Sequence, residues 1–302
     1  MSAVASSLFS SLLQSQARSI RLLHVCRTLA AVDKGNLAKL RKKTGFSMLN
    51  CKKALEMHEN DLAKAESWLQ AEAQAQGWAK ATKLAGRTTA QGLIGIHIED
   101  NVGAMVEINC ETDFVARNEK FKALVSQVAK ECASGATPLL EHGLKKEMMS
   151  QEQMKDIPTS EGKKLGDLVA LAIGSVGENM SLARGTRLVG GPGVQLIGYS
   201  HPSTLDDDML VGKFGAILAL RSSGELAEVA RQLCVHVVGM NPKEVGKLSD
   251  PKAPNADDET LLVHQEFLSD PSKTVSEVIQ EENLEIVDFV RFQCGELSKA
   301  EE

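Results

Sequence analysis

The chain alternates between two hydrophobic periodicities, and both are clearest between residues 102 and 133. Apolar side chains first recur at every second position, which is typical of a strand with one buried face. They then recur at intervals of three and four, which predicts an amphipathic helix. The strand positions are Ala104, Val106 and Ile108, and the helix positions are Phe121, Leu124, Val125, Val128 and Cys132. The segment therefore predicts a strand followed by a helix.

The same pattern occurs again about a hundred residues later. Residues 214–220 (Phe-Gly-Ala-Ile-Leu-Ala-Leu) resemble residues 102–108 (Val-Gly-Ala-Met-Val-Glu-Ile), and Leu-Ile-Gly at 196–198 matches Leu-Ile-Gly at 93–95. The helix after the second copy repeats the apolar offsets of the first, at Leu226, Val229, Ala230, Leu233 and Val237. We interpret this as an internal duplication of one strand-strand-helix subdomain, so the predicted fold class is α+β with a duplicated core.

The two copies differ in the connection between strand and helix. Twelve residues lie between Ile108 and Phe121 in the first copy, whereas five lie at the equivalent place in the second, so the first carries seven extra residues. This extra segment contains Asp113 followed by Phe114 in an otherwise polar stretch. Two interpretations remain open: Phe114 packs against the helix as a hydrophobic staple, or it projects as a wedge toward a partner.

Three short helices are predicted before the duplicated region. The first covers residues 36–43, the second follows Ser47 and runs to about His58, and the third follows Asp61. Serine and aspartate are favoured N-cap residues, because their side chains accept hydrogen bonds from free backbone N–H groups. These helices predict a small bundle, and residues 70–87 predict a linking helix.

The rest of the chain gives shorter signals. They predict helical structure at 139–155 and 165–176, a strand at 181–188, about two helical turns at 259–267, a helix from Val275 and a strand at 286–292. We expect the strand at 181–188 to be the first strand of the second copy. The strand at 286–292 is expected to return to the sheet of that copy.

Three ordered motifs resemble those of the elongation factor Ts family, the nucleotide exchange factors of elongation factor Tu. They are Thr-Asp-Phe-Val-Ala-Arg-Asn at residues 112–118, Thr-Gly-Phe-Ser-Met-Leu-Asn-Cys-Lys-Lys-Ala-Leu at residues 44–55, and Asp-Pro-Ser-Lys-Thr-Val at residues 270–275. The resemblance covers most of the chain after about residue 33.

This resemblance implies a partner, elongation factor Tu, and the residues that contact it. The amino-terminal helices would form a bundle like a ubiquitin-associated domain, with Met48 and Leu49 at the family's contact positions. Thr112, Asp113 and Phe114 lie in the family's signature. Phe114 would enter between the elements that support the phosphate and magnesium site of the partner, and Asp113 would disturb the magnesium coordination.

The carboxyl-terminal half matches the family less completely. His236 stands where the family has a histidine near the partner, and we expect its side chain to lie off the apolar face of its helix and meet the partner, with a core or solvent histidine as the open alternative. Bacterial members insert a long helical hairpin before the motif at residues 270–275, whereas only residues 259–267 are available here. Contacts that the hairpin makes elsewhere are therefore not expected in this chain.

The first 32 residues differ from the rest in composition. They contain no Asp or Glu, seven Ser and three Arg, with leucines between them. An acid-poor, Arg- and Ser-rich segment is typical of a mitochondrial transit peptide. The alternative, a secretory signal, is disfavoured because Gln14, Gln16 and Arg18 would interrupt its apolar core. We expect removal near Asp33 and a location in the mitochondrial matrix.

Charge and composition limit the class of partner. After residue 32 the chain has 31 Lys and Arg against 40 Asp and Glu, a net charge of −9. This balance argues against a protein that binds a phosphate backbone, so we expect a protein partner and no direct contact with nucleic acid. The sequence also predicts no membrane-spanning segment.

No spacing in the sequence assembles a catalytic or metal site, and no cofactor is expected. His97, His201, His236 and His264 lack the HxH and HxxxH spacings of metal ligands. The six cysteines show no CxxC spacing and indicate small buried residues in a reducing compartment. Cys110 remains a candidate nucleophile if the protein is an enzyme. The Gly-Gly-Pro-Gly segment at 190–193 remains a candidate phosphate loop, with a simple turn as the favoured alternative.

Two functions from different classes remain. The first is a nucleotide exchange factor for mitochondrial elongation factor Tu, without catalytic chemistry of its own. The second is an adaptor that binds another protein through the helical bundle. The extra segment favours the first, since an adaptor does not need it in one copy only. The predicted boundaries are 1–32 for the transit peptide, 33–85 for the helical domain and linker, 86–160 for the first core subdomain and 161–302 for the second with the carboxyl-terminal segment.

Overall fold

The structure, a computed structural model, describes residues 32–44, 46, 48–203, 210–222 and 227–296. The chain divides into two compact units, Met1–Leu69 and Gln70–Glu302. Residues 1–31 of the predicted transit peptide, the predicted cap Ser47 and the predicted apolar position Leu226 lie outside the described residues.

The first unit is helical in its described part. It contains α1 (Lys34–Thr44), α2 (Met48–Met57) and the beginning of α3 (Leu62–Leu84). Its core is formed by apolar side chains from all three helices: Leu40, Cys51, Ala54, Leu55, Ala65 and Leu69. Asp61 Oδ1 accepts hydrogen bonds from the backbone N–H groups of Ala63 and Lys64 at 3.0 and 3.1 Å. The three predicted helices and the Asp61 cap are therefore confirmed.

The second unit contains two main antiparallel sheets in its described part. The first has the order β3-β4-β2-β1-β6, with β1 (Gln91–Glu99), β2 (Val102–Cys110), β3 (Leu144–Met149), β4 (Met180–Gly190) and β6 (Leu210–Gly212). The second has the order β10-β7-β5, with β5 (Gln195–His201), β7 (Phe214–Ser222) and β10 (Leu284–Gln293). A small pair joins β8 (Glu266–Phe267) and β9 (Asp270–Thr274). The predicted return of the last strand to the sheet of β7 is confirmed.

Six further helices accompany these sheets. They are α4 (Asp113–Ala116), α5 (Glu119–Ala133), α6 (Gln151–Asp156), α7 (Leu165–Val176), α8 (Ala227–Met240) and α9 (Val275–Glu281). Helices α5 and α7 share a core with one face of the first sheet, and α8 and α9 share a core with one face of the second. A third core lies between the two sheets. The second unit is therefore built as helix, sheet, sheet, helix.

This layering explains a departure from the strand prediction at β2. The alternating pattern predicted a half-buried strand, with Ala104 and Val106 on its buried face. Both residues do face α5, but Met105, on the opposite face, is also fully buried. Glu107 is buried too, because its carboxylate accepts hydrogen bonds from Arg184 Nε at 2.8 Å and from the Gly295 backbone N–H at 2.7 Å. The second sheet covers the face that the sequence predicted to be exposed.

Two predicted elements are wrong in type. The segment at 139–155, predicted to be helical, contains strand β3 and only the short helix α6, because residues 144–149 pair along β4. The segment at 259–267 forms a 3₁₀ turn at Leu262–His264 and the strand β8 instead of two α-helical turns. In both segments strand pairing overrides a weak helical preference.

One predicted strand belongs to a different sheet. The strand at 181–188 was expected to begin the second copy, but it lies within β4, between β2 and β3 of the first sheet. Its pairing with β2 places Leu182 opposite Ile108 and Leu188 opposite Gly103. Strand β4 therefore belongs to the first sheet, although it begins about seventy residues after β2 ends.

Candidate functional site

The extra segment between β2 and α5 forms the one-turn helix α4. Val115 and Ala116 are buried in the core between the first sheet and its helices. Their burial fixes the orientation of the turn, so that Phe114 points away from the core and is 81% exposed. A hydrophobic staple would be packed against the following helix. The position of Phe114 agrees with a projecting side chain instead.

Thr112 fastens the base of this turn. It is the N-cap residue of α4, and its Oγ1 accepts a hydrogen bond from the Val115 N–H at 3.4 Å. The same hydroxyl donates to the Glu178 carboxylate, at 2.9 Å from Oε1, and the Thr112 backbone N–H donates to Glu178 Oε2 at 3.2 Å. Glu178 directly follows the left-handed Gly177 that ends α7. These hydrogen bonds thus connect the start of α4 to the segment that follows α7.

Glu111 provides another tie beside it. Its Oε1 accepts a hydrogen bond from the Asn179 backbone N–H at 2.7 Å, and its carboxylate pairs with Arg87 at 3.3 Å. The Asn179 side chain in turn donates to the Arg87 carbonyl at 3.1 Å. Sequence reasoning missed Arg87, Glu178 and Asn179 as supporting residues. No signal in the sequence could have found them, because they lie 24 to 92 positions from the residues that they bind.

Asp113 lies on the accessible side of α4. Its Oδ2 is 2.9 Å from Arg117 Nη2, one helical turn later, and both side chains are substantially exposed. An exposed ion pair of this kind contributes at most about 1 kcal/mol to stability. The carboxylate of Asp113 can therefore exchange Arg117 for another hydrogen-bond donor at little cost. Asp113 and Phe114 together present one charged and one apolar group on a rigid support.

The two candidate residues of the first unit are also accessible. Met48 and Leu49 lie in the first turn of α2 and are 54% and 75% exposed. The core of this unit is supplied from the same helix by Cys51, Ala54 and Leu55, which are fully buried. Met48 and Leu49 are thus not needed for that core. Their role as contact residues stays a prediction.

The geometric expectation for His236 is wrong. We expected the side chain to lie off the apolar face of its helix, but it is 0% exposed and its ring stacks on Phe267 at 5.9 Å. Nδ1 accepts a hydrogen bond from the Leu268 backbone N–H at 3.1 Å, which leaves Nε2–H to donate to Gln265 Oε1 at 3.0 Å. The β8–β9 segment covers a helix face that the sequence predicted to be free. Any contribution of His236 to partner binding stays a prediction.

The electrostatics of His236 and of the cysteines follow from burial. Burial lowers the pKa of His236, and its hydrogen bond to Gln265 only partly opposes that change. Burial likewise raises the pKa of Cys110 to about 11. Its thiol is therefore protonated at neutral pH, which argues against the nucleophile interpretation. The described cysteines Cys51, Cys110, Cys132 and Cys234 are buried, as predicted.

Metal ligands and membrane spans are the two other features considered for the described residues. Within the described ranges, no three His, Cys, Asp or Glu side chains lie close enough together to hold a metal ion. None of the helices in those ranges has both the length and the apolar character needed to cross a bilayer. The candidate residues Met48, Leu49 and Phe114 are among the exposed large apolar side chains of the described structure.

Comparison with known proteins decides the family. The family described as elongation factor TS matches residues 111–255 and 252–296, and that described as elongation factor Ts, mitochondrial, N-terminal matches residues 20–79. The chain belongs to the elongation factor Ts family. The motif at residues 112–118 forms α4, its N-cap Thr112 and the N-cap of α5, Asn118, so it includes the exposed Phe114.

Members of the elongation factor Ts family from animals are similar over nearly the whole chain. The mitochondrial elongation factor Ts of Aedes aegypti is 50% identical over 284 residues, covering 91% of this chain and 92% of that protein. The Drosophila melanogaster protein of the same name is 47% identical over 293 residues, with the same coverage. The human protein is 42% identical over 283 residues, covering 90% and 86%.

Proposed function

We propose that this chain binds mitochondrial elongation factor Tu in the mitochondrial matrix and promotes the exchange of GDP for GTP during protein synthesis. Family membership and the shared name of its relatives support this function. The acid-free first 32 residues support the location. In this proposal the chain performs no covalent chemistry. It changes the affinity of its partner for the nucleotide.

The observation that carries the proposal is the presentation of Phe114. Aromatic side chains are enriched in protein–protein interfaces relative to the rest of a protein surface. Phe114 is 81% exposed on a turn that is held from below by two buried residues and by the Thr112–Glu178 hydrogen bonds. A rigid support lowers the entropy lost on binding, because the side chain is already placed for its contact.

The mechanism is negative coupling between the factor and the nucleotide. An exchange factor accelerates release by binding the nucleotide-free partner more tightly than the nucleotide-bound partner, and the coupling acts in both directions. Phe114 achieves this by entering a site on the partner that opens only when the elements around the phosphates and magnesium have moved. Its burial there would contribute roughly 1.5 to 3 kcal/mol. Asp113, released from Arg117, would bind donors beside the magnesium site.

The amino-terminal unit supplies a second contact in this proposal. Met48 is exposed next to basic residues of α1, including Arg41 and Lys42, and Leu49, the next residue in the chain, is exposed as well. We assign them to an apolar contact with elongation factor Tu, in a bundle related to ubiquitin-associated domains. This contact would add affinity without acting on the nucleotide.

We also propose that the second unit, which forms the body of the protein, arose by duplication. The pair β1 and β2 followed by α5 and the pair β5 and β7 followed by α8 support this origin, since each is an antiparallel pair whose following helix shares its core. In this view α4 is an addition to the first copy. The subdomain can then lose the contact side chains of α4 and still fold.

The test is the rate of GDP release from mitochondrial elongation factor Tu. We expect Phe114→Ala and Asp113→Ala each to reduce stimulated release at least about tenfold, which corresponds to roughly 1.4 kcal/mol. Stopped-flow fluorescence of a GDP analogue measures the rate, and circular dichroism checks that the variants are folded.

Leu140→Ala is the matched control. Leu140 is a large apolar side chain that is even more exposed than Phe114, but it lies in the connection between α5 and β3. Its removal should leave the release rate unchanged. Wild-type rates for folded Phe114→Ala and Asp113→Ala proteins would contradict the proposed role of α4.

A further inference from the structure

A cleft in the second unit lies apart from the residues of α2 and α4 discussed above. It has a volume of about 360 Å³ and is bounded by the second half of α3, by α6, by α7 and by the start of β4. Small-molecule sites in proteins typically occupy about 300 to 1,000 Å³. The cleft is therefore large enough for one small organic molecule.

The floor of the cleft is apolar. It is formed by Val169 and Ile173 of α7 and by Met180 and Leu182 of β4, all of which are buried. The indole of Trp78 forms part of the wall, and its Nε1–H donates to Asp167 at 3.1 Å, which fixes the ring. A flat apolar group would find both a floor and an aromatic wall here.

The charged residues of the cleft have one sign only. Arg87 and Lys155 line it, and no Asp or Glu is among the described residues that do so, although the Arg87 guanidinium also pairs with the Glu111 carboxylate at 3.3 Å. Lys155 is half-buried, and within the described part of the chain no acidic side chain forms a salt bridge with it. A half-buried ammonium group without an acidic neighbour favours a negatively charged ligand.

Hydroxyl and amide groups also line the cleft. The Thr89 and Ser181 hydroxyls are 3.2 Å apart, and both residues line the cleft with Asn179. Hydroxyls can rotate to donate to an anion while the rest of their contacts are kept. The cleft thus combines an apolar floor, hydrogen-bond donors and two cationic side chains, as in sites that bind a molecule with one apolar and one charged end.

We propose that this cleft binds a small amphipathic anion. Its aromatic or aliphatic body lies on the floor formed by Val169, Ile173 and Leu182, and its carboxylate, sulfonate or phosphate group is bound by Lys155 and Arg87. The proposal rests on the cleft alone and does not depend on the function assigned to Phe114.

A pair of fluorescent probes tests this assignment on the full chain. 8-Anilinonaphthalene-1-sulfonate has an aromatic body and one sulfonate, and N-phenyl-1-naphthylamine has the same body without the charge. Titration of the protein with each probe gives two dissociation constants. We expect the sulfonate to bind at least about fivefold more tightly than the neutral compound, since charge-assisted hydrogen bonds are stronger than neutral ones.

Charge-removing variants locate the bound sulfonate. Lys155→Met keeps the length of the side chain and should raise the dissociation constant of the sulfonate at least about fivefold, with little change for the neutral probe. Arg87→Met should act in the same direction. Lys145→Met is the matched control, because Lys145 is an exposed lysine of the same unit on the edge strand β3 and does not line the cleft.

The outcomes separate the alternatives. A loss of sulfonate binding in the Lys155 and Arg87 variants, with circular dichroism unchanged and the Lys145 variant normal, supports the assignment. Equal affinity for the two probes, or an equal effect of all three variants, would overturn it. The first result would mean that the cleft is an unselective apolar surface, and the second that the probe binds to surface charge in general.

Discussion

At the scale of single residues, the two side chains of one motif have opposite surroundings. Phe114 is exposed and Thr112 is bound to Glu178, although they are only two positions apart. The sequence singles out Phe114 because it lies in a segment that the second copy lacks, but it leaves open whether the side chain packs or projects. It could not predict the role of Thr112, because the partner lies 66 positions away and is defined only by the fold. Local exceptions to a pattern are visible in a sequence, whereas long-range hydrogen bonds are not.

For His236 the sequence pattern identified the apolar face of the helix but not the surroundings of the side chain. The apolar stripe of α8 was read correctly, with Ala230, Leu233 and Val237 buried. The other side of the helix was predicted to be free, but the β8–β9 segment covers it and accepts the imidazole as a buried group. A single helix pattern indicates which face is apolar. It does not indicate whether a later segment covers the remaining faces.

The buried His236 predicts a pH dependence of stability. Because the folded state has a pKa below the usual value of 6.5, protonation favours the unfolded chain. The stabilisation is therefore complete above about pH 6.5 and is lost as the pH falls toward the lowered value, with a slope of at most about 1.4 kcal/mol per pH unit. Urea unfolding of the wild type and of His236→Asn from pH 7.5 to 5 measures this.

Asparagine is the informative substitution, because its side-chain oxygen can accept the Leu268 N–H but does not titrate. The wild type should be the more stable protein at pH 7.5, and the difference between the two should shrink as the pH falls. A difference that is constant across this range would show that His236 does not change its protonation on unfolding.

At the scale of secondary structure, the regular elements with strong periodicity were predicted and the weakly patterned ones were not. Helix α5 has a continuous apolar stripe and was predicted within a few residues. Strand β3 is a mostly exposed edge strand with two lysines, so its sequence carries little apolar alternation. What fixes it is its pairing with β4. Edge strands of this kind are determined by the sheet they join rather than by their own pattern.

The short helix α4 depends on its cap. Thr112→Val removes the hydroxyl that caps the helix and that donates to Glu178. Loss of an N-cap costs about 0.5 to 2 kcal/mol, and Glu178 also loses the hydroxyl donor while it keeps the backbone N–H of residue 112, so we expect a decrease in the free energy of unfolding of about 1 to 2 kcal/mol. Thr112→Ser keeps the hydroxyl and should cost less than about 0.5 kcal/mol. Equal values for the two variants in urea unfolding would rule out this role of the hydroxyl.

Helices α3 and α7 cross at a point where only glycine fits. A Cβ atom on Gly77 would lie 1.8 Å from the Ala170 carbonyl oxygen. Replacing glycine by alanine within a helix normally stabilises it by up to about 1 kcal/mol. Here the helices must separate, so we expect Gly77→Ala to lower the free energy of unfolding by about 1 to 3 kcal/mol.

Gly86→Ala is the matched control for that variant. Gly86 follows the end of α3, and a Cβ atom there would meet no described atom within 4 Å. Its effect on the free energy of unfolding should stay within about 0.5 kcal/mol. Thermal unfolding of both variants decides the point, and a Gly77→Ala protein as stable as the wild type would show that the crossing can relax.

At the scale of the whole molecule, the sequence did not predict the course of α3. Residues 62–69 were expected to complete the bundle and residues 70–87 to link it to the body. Instead one helix of 23 residues, Leu62–Leu84, belongs to the first unit at its start and to the second unit from Gln70 onward. The composition of residues 70–87, rich in alanine and glutamine, gave no sign of the contacts that this part makes.

Those contacts belong to the body. Besides the crossing at Gly77, the Trp78 indole donates to Asp167, and Lys80 Nζ donates to the Gly174 carbonyl at 2.9 Å, near the end of α7. A deletion that removes the bundle should therefore end at Leu69, not at residue 85, if the body is to remain intact. The predicted boundary at residue 85 would remove a helix that covers α7.

Two truncated proteins test this division. The protein that begins at Gln70 should unfold like the body of the full chain, whereas the one that begins at Gly86 exposes Val169 and Ile173 on α7. We expect the shorter protein to be less stable by at least about 2 kcal/mol, which lowers its melting temperature by roughly 4 to 8 °C. Thermal circular dichroism measures the difference. Equal melting temperatures would show that the second half of α3 does not stabilise the second unit.

The same pair of proteins separates stability from partner binding. Both lack Met48 and Leu49, so both should bind elongation factor Tu more weakly than the full chain if the bundle is a contact surface. The protein that begins at Gln70 keeps the support of α4 and should still stimulate GDP release when its concentration is raised. If this folded protein bound elongation factor Tu with unchanged affinity, Met48 and Leu49 would not be contact residues. Loss of stimulation at every concentration would mean that α4 acts only together with the bundle.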